Sequence, residues 1–297
     1  MSATQLQPRL LAGRDTYQRR VEAWTDNLEA EALTHTVRIA DDDRAVELEV
    51  LALPSPAYEI RNASCRVLAG DVGPDVVLGM ASLAGVRMVA GFTRRVAEAT
   101  GGGAGAPLAV DAAIEVARLA RQTTRLPRAQ AERAGTGAWE CWQLDMAGWV
   151  DLPESCFTYS QAGRAVFGTR TVTATAEPDL YSPRPGQRRV FVRRKLASLA
   201  RLEGRLRLFH SMHDNVHGFE LTCEVDAASG TIVQAEHITS RLPYAGVCTE
   251  PQARLRALVG ERVDEGLRKR LGTLVGGPSG CSQLYDLTAD LLKLLAA

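Results

Sequence analysis

The chain has 297 residues, 45% hydrophobic and 24% charged, which is ordinary for globular protein and predicts about two domains. Its formal net charge is 0, so it carries no global electrostatic footprint for nucleic acid or an anionic membrane surface. No apolar run approaches the roughly 20 residues that span a bilayer, and the opening MSATQLQPRLLAGRD has no charged region leading into an apolar core. The expectation is a soluble cytoplasmic protein, monomer or homodimer, with a small-molecule partner and neither nucleic acid nor membrane.

Sliding the sequence on itself by 175 residues aligns its two ends without a gap. Arg19 meets Arg194, His35 meets His210, Glu49-Val50 meet Glu224-Val225, and Leu83, Gly85 and Arg87 meet Leu258, Gly260 and Arg262. Gly101, Gly102 and Gly105 meet Gly276, Gly277 and Gly280. One register kept over so long a stretch predicts a tandem duplication of an α+β unit, paired with pseudo-two-fold symmetry around a shared core. The organisation read from it is a first repeat at 14–121, an aromatic-rich insert at 122–187 and a second repeat at 188–297.

In the first repeat the third helix begins near Pro107, with Val110, Ile114 and Val116. The insert carries Trp139, Trp142, Trp149, Phe157, Tyr159 and Phe167, and Arg170–Thr175 reads as extended. Its aromatics either cover one sheet or line a pocket. The loop around Cys156 and Tyr159 concentrates polar and reactive side chains, as functional loops do. The basic clusters Arg188-Arg189 and Arg193-Arg194-Lys195 read as solvated faces.

In the second repeat, residues 203–212 read as extended. Phe219–Val225 alternates apolar and polar side chains, the period of a half-buried strand, and a turn at Asp226–Gly230 leads to a return strand at Thr231–Ile238. Thr249-Glu250-Pro251 reads as a capped helix start. A second helix is predicted from about Val263 to Val275. A third follows the Gly276–Gly280 break from Cys281 to the C-terminus, with Leu284, Leu287, Leu291 and Leu295 on one stripe.

Four motifs in this repeat arrive in order: His210-Ser211-Met212, Pro243-Tyr244 with Cys248, Gly260, and Gly276-Gly277-Pro278-Ser279-Gly280-Cys281-Ser282-Gln283-Leu284. In these the segment from about 190 to 297 resembles the bacterial domain-of-unknown-function family 2889. The resemblance implies a shared fold and assigns no activity. Gln283 stands where the family shows His, and Tyr244 and Cys248 are one residue further apart than the family pattern.

His210, Cys248 and Cys281 are the ligand-type residues at the family positions, and the first repeat answers them with His35, Gly73 and Ala106. Four roles stay open. His210, Cys248 and Cys281 could hold zinc, though Gln283 is a poor fourth ligand and no C-x-x-C pair occurs. Cys281 could be a thiolate activated at a helix N-terminus, with His210 as its base. His210 could move protons without a metal, in an apolar pocket with Met212, Tyr244, Gln283, Trp149, Phe157 and His35 around the substrate and Tyr159 assisting. Buried Cys and His could instead be purely structural. The leading expectation is a lyase or isomerase acting on a small aromatic or acyl-type molecule, with His210, Cys281, Cys248 and Tyr159 as catalytic candidates. Its cofactor is unknown and no metal is favoured. A non-catalytic small-ligand-binding or assembly protein and a zinc enzyme are the alternatives. The glycine loop also invites an anion, but it lacks a P-loop Lys-Ser/Thr.

Overall fold

A computed structural model describes residues 6–295. Positions 1–5 and 296–297, which the N-terminal reading and the end of the last predicted helix include, lie outside them. The chain is a mixed α+β protein. It runs through β1 (Thr16–Asn27), β2 (Leu33–Asp41), β3 (Ala45–Ala52) and β4 (Ile60–Ala69), then α1 (Pro74–Ala81), α2 (Phe92–Thr100), α3 (Ala106–Leu119), α4 (Arg128–Ala131) and α5 (Ala138–Gly148). After α6 (Gln161–Val166), β5 (Thr173–Ala174) and α7 (Pro178–Tyr181) come β6 (Gln187–Leu202), β7 (Arg205–Asp214), β8 (Gly218–Asp226), β9 (Ile232–Arg241) and β10 (Tyr244–Ala245). A 3-10 helix at Glu250–Leu258, α8 (Leu267–Leu274) and α9 (Ser282–Lys293) end it. No helix among the described residues is long and apolar enough to cross a membrane.

Two compact units form. The first holds residues 20–150 and 176–194. Its strands lie in the order β4-β3-β2 followed by parts of β1 and β6, and antiparallel pairing sets Val37 against Leu48 and His35 against Val50. Side chains alternate across each strand, so Val37, Ile39, Val46, Leu48 and Val50 all face inward and are buried. Helix α3 covers β2 and β3; it starts on a left-handed Gly105, with Pro107 in the first turn where its missing N–H is harmless. Trp149 packs edge-on against Tyr181, centroids 5.7 Å apart, and Tyr181 donates to Asp145 at 2.7 Å.

The second unit holds residues 6–19, 151–175 and 195–295. Its strands run β6-β7-β8-β9, with the start of β1 along β6, where Arg201 N donates to Asp15 O at 2.8 Å. Leu208 pairs with Cys223 and His210 with Leu221. Helix α9 packs on β7, the 3-10 helix on β9, and α8 on α9. The insert read at 122–187 is thereby divided: only 151–175 joins this unit.

The cluster Arg193-Arg194-Lys195 is not a solvated face. Arg193 is 1% and Lys195 7% exposed, because β6 alternates and sends both inward while Arg194 stays out. Each meets a carboxylate in its own unit: Arg193 lies 3.3 Å from Glu115, and Lys195 2.9 Å from Asp290. Buried charges persist only when paired in this way.

Candidate functional site

Three thiols gather in the second unit. Cys281 is the residue before α9, in an extended conformation. Cys248 follows β10, its N–H donating to Tyr244 O at 2.9 Å. Cys156 arrives from segment 151–175, which is tied down where Phe157 N donates to Gly280 O at 2.8 Å and Cys156 bridges to Gly277. Thr158 Oγ1 lies 3.0 Å from Cys248 Sγ. Gln252 Nε2 donates to Cys248 O at 3.0 Å, and the Gln252 side chain also bonds the Cys281 thiol.

The network extends from Gln252. Thr239 donates its hydroxyl hydrogen to Gln252 Oε1 at 3.2 Å, so it can only accept from His237 Nδ1, 3.1 Å away. Bonds therefore run in series from His237 on β9 through Thr239 and Gln252 to Cys281. Burial lowers the pKa of His237.

Electrostatics keep the thiols protonated. Burial, reinforced by the neighbouring Cys156, pushes Cys281 up to about 12, outweighing the N–H groups of Gln283 and Leu284 that favour its thiolate. Burial raises Cys248 and Cys156 as well. At neutral pH the cluster is apolar, soft and uncharged.

The glycine loop serves packing. A Cβ on Gly280 would stand 2.2 Å from Val275 O and 2.4 Å from Gly276 O, so the backbone closes there as only glycine permits. The N–H groups of Gly276, Gly280 and Cys281 point back to Leu271 O, Gly277 O and Val275 O. Those donors are engaged inside the loop, which accounts for its glycines without an anion.

Aromatic residues of segment 151–175 close over Tyr244, itself 1% exposed: Tyr159 stands edge-on at 6.5 Å and Phe167 at 5.6 Å. His210 occupies another place. It projects inward from β7 between Leu208 and Met212, is 2% exposed, and bonds through Nδ1 to Leu287 O at 2.9 Å. A carbonyl only accepts, so Nδ1 carries the hydrogen and Nε2 is the proton-accepting nitrogen of the neutral ring. Leu287 lies six residues beyond Cys281, about 9 Å along the helix.

The structure thus gathers Cys248, Cys281, Tyr159 and Tyr244, with Phe157 and Gln283 beside them through backbone bonds, and sets His210 under the middle of α9, with Met212 buried two residues further along β7. The set His210, Cys248 and Cys281 is not assembled round one point, and no group of three or more His, Cys, Asp or Glu among the described residues has a metal-holding arrangement. Trp149 and His35 belong to the first unit. There His35 Nδ1 meets Thr25 Oγ1 at 3.0 Å, Nε2 is buried without a partner, and burial lowers the pKa to about 4.

Sequence reasoning passed over Cys156's partner Thr158, the chain His237–Thr239–Gln252, and Lys195. Gln252 carried one signal, lying four residues after Cys248 at the head of a helical segment.

Residues 199–296 match the family described as protein of unknown function, DUF2889. The match confirms the resemblance drawn from the four motifs. It contains His210, Cys248, Gln252 and Cys281, while Cys156, Thr158 and Tyr159 lie outside it. No curated protein and no solved structure matches the chain.

Proposed function

We propose that the protein is a cytoplasmic acid–base enzyme of lyase or isomerase type, acting on a small aromatic or acyl-type molecule, with His210 Nε2 taking up and returning the proton. The observation that carries this is the bond from His210 Nδ1 to Leu287 O, which orients the ring and fixes its hydrogen on Nδ1. The apolar neighbours Leu208 and Met212 suit an apolar substrate. Protonated Cys248 and Cys281, which sit in another place from His210, would support the fold around it rather than attack. Free cysteines throughout fit a reducing compartment. A non-catalytic small-ligand-binding or assembly protein is the second reading, favoured by how closed the site is, with His210 2% and Cys248 8% exposed.

The duplication belongs to the same proposal. Adding 175 to α3, Ala106–Leu119, gives 281–294, against Ser282–Lys293 for α9. Glu115 pairs with Arg118 and Asp290 with Lys293 at that same offset. Each acid also takes a base from β6, Arg193 for one and Lys195 for the other. The first unit would then be a copy without thiols, kept for its packing.

The test is solvent deuterium wash-in. The native chain and His210→Gln, which keeps a donor for Leu287 O, are incubated in D2O with small aryl and acyl compounds. An enzyme incorporates deuterium, and the variant loses on the order of 10²–10⁴-fold in rate. Compounds that bind but exchange in neither protein support the binding-module reading.

A further inference from the structure

Cys156 and Cys281 are built alike. Each precedes a helical turn in an extended conformation, one before the 3-10 helix Phe157–Tyr159 and the other before α9. Each sulfur accepts from the N–H groups two and three residues on, Thr158 and Tyr159 for Cys156, Gln283 and Leu284 for Cys281. Side chains add to both: the Ser155 and Thr158 hydroxyls bond Cys156, and the Gln252 side chain bonds Cys281. Such donors favour a thiolate, although burial keeps both thiols protonated at neutral pH. Thr158 Oγ1 has one hydrogen and also meets Cys248 Sγ at 3.0 Å, so when it donates to Cys156 it accepts from the Cys248 thiol.

The two residues are also tied to each other. Phe157 N donates to Gly280 O at 2.8 Å. The Cys156 α-carbon is two bonds from that nitrogen and the Cys281 α-carbon three bonds from that oxygen. This holds the two α-carbons to within about 7 Å, the reach of a disulfide. Burial and then the neighbouring Cys156 oppose ionisation of Cys281, so the sulfurs themselves lie near each other. Both residues are half-buried, whereas Cys248 is buried. The acid–base reading of His210 uses neither thiol.

We infer that Cys156 and Cys281 are a thiol–disulfide exchange pair, oxidised by a low-molecular-weight disulfide to a cross-link that fastens segment 151–175 to the start of α9. Cys156 reacts first, through its ionised fraction, and attacks one sulfur of the small disulfide. That S–S bond breaks. One half leaves as a thiolate and takes the proton that Cys156 released, and the other half stays on Cys156 as a mixed disulfide. Cys156 can then no longer carry charge, which removes one obstacle to ionising Cys281. The Cys281 sulfur attacks the Cys156 sulfur, the bond to the second half breaks, and that half leaves with the Cys281 proton. Two protein thiols are oxidised, and one small disulfide is reduced to two thiols. Cys248 keeps its thiol.

The test incubates the reduced full chain with oxidised glutathione at pH 8, in buffer and in concentrated urea, and quenches in acid before peptide mapping by mass spectrometry. The Cys156–Cys281 cross-link is expected to be at least about tenfold more abundant in buffer than in urea, because the fold raises the effective concentration of one thiol at the other. Dithiothreitol should reverse it. The native chain by itself decides the pairing, and the variants assign the order. Cys281→Ser should stop at Cys156 carrying one glutathione, Cys156→Ser should leave Cys281 unmodified, and Cys248→Ser should cross-link as the native chain does. A native chain in which Cys156 keeps its glutathione, or pairs with Cys248 instead, overturns the inference. So does a chain that stays wholly reduced, or a cross-link as abundant in urea as in buffer.

Discussion

His35 and His210 are both buried on strands, yet their surroundings give them different properties. His210 is oriented by a carbonyl, which fixes its tautomer. His35 meets a hydroxyl at Nδ1 and nothing at Nε2, in a fully buried setting. Its pKa falls to about 4 from 6.5, so the folded state refuses a proton that the unfolded chain accepts below 6.5. The contribution of His35 to folding stability is complete above pH 6.5 and declines as the pH drops towards 4, by about 3 kcal/mol in all. Replacing His35 by Leu together with Thr25 by Val removes both the titrating ring and its hydroxyl partner. Urea unfolding of this double variant should lose most of the native slope between pH 6.5 and 4.5. An unchanged slope would assign the acid sensitivity to other groups.

Within elements, local pattern and tertiary pairing competed, and the outcome explains what could be read in advance. The alternation of Phe219–Val225 and the Gly230 turn predict the β8–β9 hairpin, which forms from Gly218 to Arg241. The last helix forms where its leucine stripe sets it. The helix expected from Val263 starts only at Leu267, because Val263 N donates to Gly230 O and Arg262 bridges to Thr231. Thr249 does not cap the segment after it; its own backbone is helical, and that segment is a 3-10 helix. Strand β6 hid behind its basic residues, since inward cations are rare without partners and Glu115 and Asp290 are distant in sequence. For the candidate site, Cys248 and Cys281 were legible as residue types. Cys156 was legible as a reactive loop residue, but its place beside them, like the roles of Thr158 and Gln252, follows only when a remote segment docks. The glycine loop offers a comparison at this scale. Gly280→Ala drives a methyl to 2.2 Å from Val275 O and should destabilise by on the order of 3 kcal/mol. Gly272→Ala, inside α8 with nothing within 4 Å of its new methyl, should stabilise by up to about 1 kcal/mol. Thermal melts of the two variants must move in opposite directions. If both fall, the open space at Gly272 is not what governs it.

At the scale of the molecule the chain visits each unit more than once, and segment 151–175 is the visit that completes the thiol cluster. It brings Thr158 to Cys248, Phe157 N to Gly280 O, and two aromatic rings to Tyr244, and it lies outside the span that matches the family. If this segment is what shields the cluster, exchanging residues 151–175 for a Gly-Ser linker of equal length should bare two thiols selectively. Thiol modification by iodoacetamide at pH 8, resolved by mass spectrometry, reads each cysteine separately. In the native chain Cys141, Cys223, Cys248 and Cys281 should resist, since burial lifts each thiol far above that pH. In the exchanged chain Cys248 and Cys281 should react. Cys223, 0% exposed on β8, reports on the second unit's sheet, and Cys141, whose thiol donates to Ala134 O at 3.0 Å, reports on the first unit. Both should stay protected. Reaction at Cys223 would make the segment a support for the whole unit, and continued protection of Cys248 and Cys281 would show that α9, β10 and the 3-10 helix bury the site unaided.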